Sequence, residues 1–447
     1  MKLNPRAKDT STNTQGVTGT SISTEEALKR VCYAHMLFEN SFYISGIDSS
    51  KVIEELCKKV EPDFIIKLAE EIAIDMRLRH TPLFLLVQAM KKKGKVSSAI
   101  QTICTRPDMM TDLLALYWKE KKTPLAKQLQ RGLAKAFLNF DEYQLAKWNR
   151  STVIKLKDVL KMVRPKPVND EQSAMFKRLL NDELKTPDTW EVRLSRGDDK
   201  KETFKELIEK KKLSGIALLR NLRNCVDSGV DMQILKEALK RPIKALPFQF
   251  LSAAREAPTL EAEIDEAMLN SVEEWGSLPG KTCILVDVSG SMISPLSEKS
   301  TAMLFDAASS LAILLREVCE EPLFATFSYL TVVCPNRRGM ALRDILWHSQ
   351  PNSGTDLHSA LLAVEKFQKD KNHKFDRLII ITDEQSQTPL RPLTIPKKYI
   401  FNVGNYQKGL GNNHGFMTIT GFTEAVIKYV MKIESWELKE GYETLPS

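Results

Sequence analysis

Apolar positions recur every three to four residues from Ser21 to about Arg255, and this spacing predicts one helix after another. In residues 66–77, Ile66, Leu68, Ala69, Ile72, Ile74 and Met76 make a broad apolar face, with Glu70 and Glu71 on the other side. Ser23-Thr24-Glu25-Glu26 reads as a capping box that opens the first helix, because hydroxyl and carboxylate satisfy free backbone N–H groups there. Thr81-Pro82, Thr123-Pro124 and Thr186-Pro187 each set a capping hydroxyl before a proline suited to the first helical position. The first two pairs lie 42 residues apart, close to a two-helix repeat, and the third 63 further on, so any repeat is degenerate. The expectation is a HEAT-like α-helical repeat, a solenoid over residues 21–275 that offers an extended surface to a large ligand.

Near Trp275 the pattern changes. Gly276-Ser277-Leu278-Pro279-Gly280 reads as a linker, and short continuous apolar runs follow at Cys283–Val288, Leu323–Phe327, Leu378–Ile381 and Tyr399–Val403. Such runs are buried strands of a mainly parallel sheet. A helical stretch at 303–318 separates two of them, with Leu304, Ala308, Leu311, Leu315 and Val318 on one face. Strand–helix alternation predicts a doubly wound α/β domain over residues 276–447, with its ligand site at the carboxyl ends of the strands. Residues 1–20 are polar, lack the apolar core of a signal peptide and read as a flexible tail.

The chain has 447 residues, 43% of them hydrophobic and 27% charged, which excludes a disulfide-stapled scaffold, a collagen-like chain and a mostly disordered one. No run approaches about 18 apolar residues, so no membrane partner is expected. Seven cysteines are spread singly with no C-x-x-C pair, which argues against a zinc ribbon and for a reducing, cytoplasmic compartment. The formal charge of +8 is unevenly placed: residues 276–447 are neutral, whereas residues 91–169 alone carry 18 basic and 6 acidic residues. A local excess of that size suggests an anionic partner, nucleic acid being the commonest, although a solvated helical face accounts for charge alone equally well. Within the segment stand Lys147, Arg150, Lys157, Lys161, Arg164 and Lys166; Lys157, Lys161 and Arg164 step by four and three, as on one helix face. Arg131 and Lys135 share a face with Lys127. Lys91, Lys92 and Lys93 make a second basic run, which reads equally as a helix C-terminus complementing its dipole. Tyr143 and Trp148 are candidates for base stacking or for core.

Asp287-Val288-Ser289-Gly290-Ser291 directly follows the first strand run, placing Asp287, Ser289 and Ser291 two residues apart in a turn. Thr355 lies in Ser353-Gly354-Thr355-Asp356 before a helix, and Asp383 ends the run Leu378–Thr382. Five hard oxygen donors from three loops at one end of a sheet suit Mg²⁺. With few carboxylates around it, such a metal can accept an anionic oxygen from a partner. No phosphate-binding G-x-x-x-x-G-K-[ST] loop or H-E-x-x-H motif occurs, and the six histidines show no ligand spacing. A nuclease metal wants more carboxylates than this, so no enzyme is expected.

The Asp-x-Ser-x-Ser string with Thr355 and Asp383 resembles the metal-ion-dependent adhesion site of a von Willebrand factor A domain, over residues 281 to about 435. A helical array followed by such a domain resembles the Ro autoantigen and its bacterial orthologues, the TROVE-module proteins. Arg79-His80-Thr81-Pro82-Leu83-Phe84, Lys157-Asp158-Val159-Leu160-Lys161, Ala217-Leu218-Leu219-Arg220-Asn221-Leu222 and Lys244-Ala245-Leu246-Pro247-Phe248 carry this likeness. The resemblance implies helical repeats closed into a ring around a basic hole and joined by the A domain. It implies small non-coding Y-like RNA on the outer basic surface and single-stranded 3′ ends of misfolded RNA in the hole. It implies a role in RNA quality control, an exoribonuclease partner and a monomer. Ser353 stands where the family's Gly-Gly-Thr-Asp has its first glycine, and Leu156 where the animal proteins have a histidine that contacts RNA. A rival reading is an adaptor that binds partner carboxylates through the metal, but it gives no reason for the basic segment.

Overall fold

The computed structural model describes residues 10–12, 18–20, 23–34, 46–75, 78–119, 121–149, 152–245, 247–295, 302–383, 390–404, 414–420 and 425–443. The chain forms two compact units: Thr24–Glu39 with Gly46–Leu207, and Ile208–Ser447 with Met1–Ser23 and Asn40–Ser45.

The first unit is helical, as the apolar spacing implies. Its helices include Gly46–Lys58, Pro62–Ile74, His80–Lys91, Ser97–Ile103, Pro107–Tyr117, Lys127–Phe137, Glu142–Trp148, Leu156–Val163 and Asp170–Leu180. Helix Pro62–Ile74 buries Ile65, Leu68, Ala69 and Ile72 at three- and four-residue steps and packs on His80–Lys91. Helix Lys127–Phe137 packs on both Ser97–Ile103 and Leu156–Val163. Gly132 permits the first of these contacts, since a Cβ there would lie 2.7 Å from Ile100 Cβ. The Thr-Pro pairs do not cap helices. Thr81 and Pro82 are buried inside the first turn of His80–Lys91. Thr123 and Pro124 lie in an irregular segment before Lys127, where their carbonyls accept from Trp118 Nε1 (2.7 Å) and Tyr117 Oη (3.1 Å). Thr186 and Pro187 precede helix Trp190–Arg196, which Thr189 caps instead.

The second unit is built on a six-stranded sheet. Strands β1 (Thr10–Thr12) and β2 (Thr18–Thr20), within the expected tail, form a separate antiparallel pair. The sheet comprises β3 (Leu278–Asp287), β4 (Cys319–Phe327), β5 (Thr331–Cys334), β6 (Arg377–Thr382), β7 (Lys397–Asn402) and β8 (Phe416–Thr420), in the order β5-β4-β3-β6-β7-β8. All neighbours are parallel except β4 and β5. Four strands fall on the expected apolar runs. Strand β5, a short edge hairpin arm, and β8 were not expected, and the expected linker residues Leu278–Gly280 begin β3. Helix Leu357–Asp370 packs its Leu357, Ala360, Leu361 and Val364 over Cys283, Leu285, Leu378, Ile380 and Ile400. The helix Leu304–Val318, almost wholly buried, lies against β3, β4 and β6.

Helices Gly215–Asp227, Met232–Leu239, Pro247–Glu256 and Glu261–Val272 belong to this second unit. Two polar contacts tie them to the α/β part. Arg255 Nη2 donates to buried Asp306 Oδ1 at 2.7 Å, and Met340 N donates to Asp265 Oδ1 at 2.9 Å. Compactness therefore divides the chain near Leu207, upstream of the change in hydrophobic pattern near Trp275.

Candidate functional site

Chain order places β3 at the centre of the sheet. From β3 the chain passes to β4 on one side and returns later as β6 on the other, which makes the carboxyl ends of β3 and β6 a topological switch point. Asp287 ends β3 and Asp383 follows β6, and both are fully buried. Asp287 Oδ1 accepts from Ser289 N at 2.9 Å and its Oδ2 from Thr382 Oγ1 at 2.6 Å. The Ser289 and Ser291 hydroxyls lie 3.1 Å apart. Burial first, and the nearby Asp383 carboxylate further, push the Asp287 carboxyl up to about 6. Gly404 makes room for Asp383, because a Cβ there would sit 2.9 Å from Asp383 Cβ.

The loop bearing Thr355 is tied to the same place. Gly290 N donates to Ser353 O at 2.7 Å, Asn352 Nδ2 to Val288 O at 2.8 Å, and Asp356 N to Ser328 O at 2.9 Å. Asp356 caps helix Leu357–Asp370 by accepting from Ser359 N, so it is occupied in holding the helix start. Ser328, which sequence reasoning passed over, braces the loop by donating to Gly354 O at 2.9 Å while its hydroxyl accepts from Ser353 N. Its only signal in the sequence is a hydroxyl directly after a strand. The structure thus joins Asp287, Ser289 and Ser291 in one turn and brings the Thr355 loop and Asp383 beside it. Among the described residues no group of three His, Cys, Asp or Glu gathers, so this set is defined by hydroxyls around two carboxylates.

The predicted cations of the helical unit fall into two groups. The first is engaged within the protein. Lys92 Nζ donates to the carbonyls of Cys57 (3.3 Å), Lys58 (3.0 Å) and Val60, at the end of helix Gly46–Lys58. Lys91 pairs with Glu54 at 2.7 Å, and Lys157 pairs with Asp182. Lys147 lies over the Tyr143 ring, 5.7 Å from its centroid, and Arg106 stacks 3.9 Å from the Trp148 ring. Of the expected RNA ligands, Lys91 and Lys157 are thus held by carboxylates and Lys92 by helix-end carbonyls, whereas Lys147 rests on an aromatic ring.

The second group faces solvent. Lys127, Arg131 and Lys135 are exposed at four-residue steps on a helix whose opposite face buries Leu129, Leu133, Ala136 and Phe137. Lys161 is exposed on the adjacent helix, and Lys93 stands exposed in the left-handed turn after His80–Lys91. Arg164 is not on the helix face with Lys157 and Lys161. The helix ends at Val163, and Arg164 takes a left-handed conformation (φ 46°) as its cap, exposed like Lys166. Arg150 lies outside the described residues. Leu156 is buried as the first residue of its helix.

One unit thus carries an open row of cations, and the other an α/β sheet with an oxygen-lined crevice at its switch point. Residues 181–309 match the TROVE domain family. Ala217–Leu222 and Lys244–Phe248 fall inside that match, whereas Arg79–Phe84 and Lys157–Lys161 lie outside it. The mouse protein "Telomerase protein component 1" is 34% identical over 89 residues, 18% of this chain, and the chain spans only 3% of that relative's length. The crystal structure of the Deinococcus radiodurans Ro (Rsr) protein superposes with a TM-score of 0.61 at 15% identity, covering 91% of this chain and 98% of that one. At that identity the superposition speaks for the fold. The Ro/TROVE resemblance read from the sequence is borne out by the TROVE match over residues 181–309 and by the likeness of fold to a Ro protein.

Proposed function

We propose that the protein is a non-catalytic RNA-binding protein of the Ro type. The observation that carries this reading is the row Lys127, Arg131 and Lys135 together with Lys161, Arg164 and Lys166, exposed and without an ion-pair partner among the described residues. A solvated face kept for solubility is normally interleaved with carboxylates, as the paired Lys157 and Lys91 illustrate. A row of cations outside ion pairs instead suits a phosphate backbone. The finer reading goes with the family: Y-like RNA on the outer basic surface, single-stranded 3′ ends of misfolded RNA in a ring opening, and cytoplasmic RNA surveillance beside an exoribonuclease. Among the described residues no helix is long and apolar enough to cross a membrane.

Residues 276–447 serve as a von Willebrand factor A-like module. Asp287, Ser289, Ser291, Thr355 and Asp383 would hold a divalent metal, Mg²⁺ by donor type. Two fully buried neighbouring carboxylates, one with its carboxyl already raised to about 6, gain most from a cation between them, so the residues fit the ion. When bound, it supplies an electrophilic position for an anionic oxygen. Binding of a partner's carboxylate there is the second reading, supported by the same donor set, and it coexists with RNA on the helices. In a filter-binding assay, the double reversal Arg131→Glu with Lys161→Glu is expected to weaken RNA affinity by about tenfold or more. Lys201→Glu, on the separate helix Lys200–Glu209, should change it less than twofold, about the scatter of one peripheral charge. Equal losses would remove the basic row from the account.

A further inference from the structure

Between the end of helix Pro107–Tyr117 and helices Lys127–Phe137 and Leu156–Val163 runs an open groove of about 550 Å³. Trp118, Lys122, Pro124, Leu125, Gln130 and Met162 line it. Its floor is a mixture of aromatic and aliphatic surface, unusual in the most basic stretch of the chain. The aromatic ring is held in place: Trp118 Nε1 donates to Thr123 O at 2.7 Å, and Tyr117 Oη donates to Pro124 O at 3.1 Å, pinning the irregular segment under it. Lys122 Nζ lies 5.2 Å from the Trp118 ring centroid. Gln130 spends its Nε2 on Met162 O at 3.2 Å and keeps its amide oxygen as an acceptor. The exposed cations continue from this groove in both directions along the fold, with Lys127 and Arg131 flanking Gln130 and Lys161 preceding Met162.

Resting on the RNA-binding reading, we propose that this groove is a base pocket for single-stranded RNA. An unpaired nucleobase stacks on Trp118 among Pro124, Leu125 and Met162, while Lys122, Lys127, Arg131 and Lys161 take the phosphates on either side. The argument is one of complementarity. Phosphates alone explain the cations but not a pre-set aromatic groove among them, and an apolar protein segment explains the groove but not its cationic rim. A base joined to two phosphates needs both features. A paired base, held inside a duplex, cannot reach the ring. Because the ring and the segment beneath it are already fixed by hydrogen bonds, binding orders little that is not ordered beforehand.

The test compares three RNA probes on the full-length protein: an adenylate dodecamer, an abasic dodecamer with the same phosphates, and a blunt duplex of equal length. The native protein should bind the adenylate dodecamer about five- to hundredfold more tightly than the abasic one, the range that one stacked base supplies. Trp118→Ala should remove that preference and leave duplex affinity and its salt dependence unchanged, while Trp118→Phe restores part of it. The comparison within the native protein does not depend on any variant folding. No preference of the native protein for bases over abasic sites overturns the proposal. So does a Trp118→Ala variant that keeps the preference, or one that loses duplex binding equally. Native protein that binds none of the three overturns the RNA-binding reading itself. Loss of all three on Arg131→Glu with Lys161→Glu, but no effect of Trp118→Ala, sinks the base pocket alone.

Discussion

Asp287 shows how one side chain carries two opposed demands. Buried at the end of a central strand, it accepts two hydrogen bonds, yet burial and Asp383 hold its carboxyl at about 6 instead of the usual 3.8. A folded-state value above the unfolded one means that its contribution to stability is fully present below about pH 4 and is lost as pH rises through about 6. The loss amounts to about 3 kcal/mol. Denaturant unfolding without divalent ions should show that loss between pH 4 and 7, and Asp287→Asn should lack it. Mg²⁺ should raise the melting temperature of the native protein at pH 7.5 more than at pH 5, and leave Asp287→Asn unmoved. A variant that still responds to Mg²⁺ would place the metal elsewhere. Lys92 illustrates the reverse case, a cation that looks functional in sequence and is structural in space. Lys92→Ala leaves three carbonyls at a helix end without their donor and should cost about 1–3 kcal/mol, with RNA affinity changed less than twofold. A loss of RNA binding in a stably folded Lys92→Ala protein would restore it to the interface.

At the scale of elements, hydrophobic periodicity was the most readable signal and capping chemistry the least. Helix Leu304–Val318 and strands β3, β4, β6 and β7 fall on apolar runs, because buried surface dominates their energy. The Thr-Pro pairs failed as helix starts because the same threonine and proline serve other ends: Thr81 and Pro82 pack inside a helix, and Thr123 and Pro124 lend their carbonyls to Trp118 and Tyr117. Edge strand β5 has four residues and too little burial to stand out. The interplay of β6 with the last helix, Ala425–Glu443, was also invisible, since it rests on a charge pair 57 residues apart. Arg377 Nε donates to Glu434 Oε1 at 2.6 Å, and Glu434 also accepts from Lys397 (2.8 Å) and Tyr399 (3.0 Å). Removing one partner strands the other charge in the core, so Glu434→Gln should destabilise the α/β unit by about 3–5 kcal/mol. Pairing it with Arg377→Met should recover most of that loss in chemical denaturation, and no recovery would mean the pair is not the cause.

For the whole molecule, charge and fold divide differently. The surplus charge lies in residues 91–169, within the helical unit, whereas the four helices from Gly215 to Val272 join the sheet in the second unit. The turn proposed to hold a metal has donors that are local in sequence and sit at strand ends, a position topology dictates. The proposed RNA interface can be drawn from the sequence only as a region. Which lysines remain open depends on carboxylates and carbonyls brought in from elsewhere, such as Asp182 for Lys157 and Val60 for Lys92, and no spacing rule reveals those. The groove at Trp118 was missed for the same reason, since its walls come from a helix end, the irregular segment after it and two further helices. The central claim is that exposed cations of the helical unit hold an RNA backbone. The dependence of affinity for a single-stranded RNA on salt concentration measures this most directly. If about six phosphates are neutralised, the slope of log K against log salt should be near −4. It should flatten to about −2 when Lys127, Arg131 and Lys161 are together replaced by Gln. A slope near zero in the native protein, or one that the triple replacement leaves unchanged, would contradict the account.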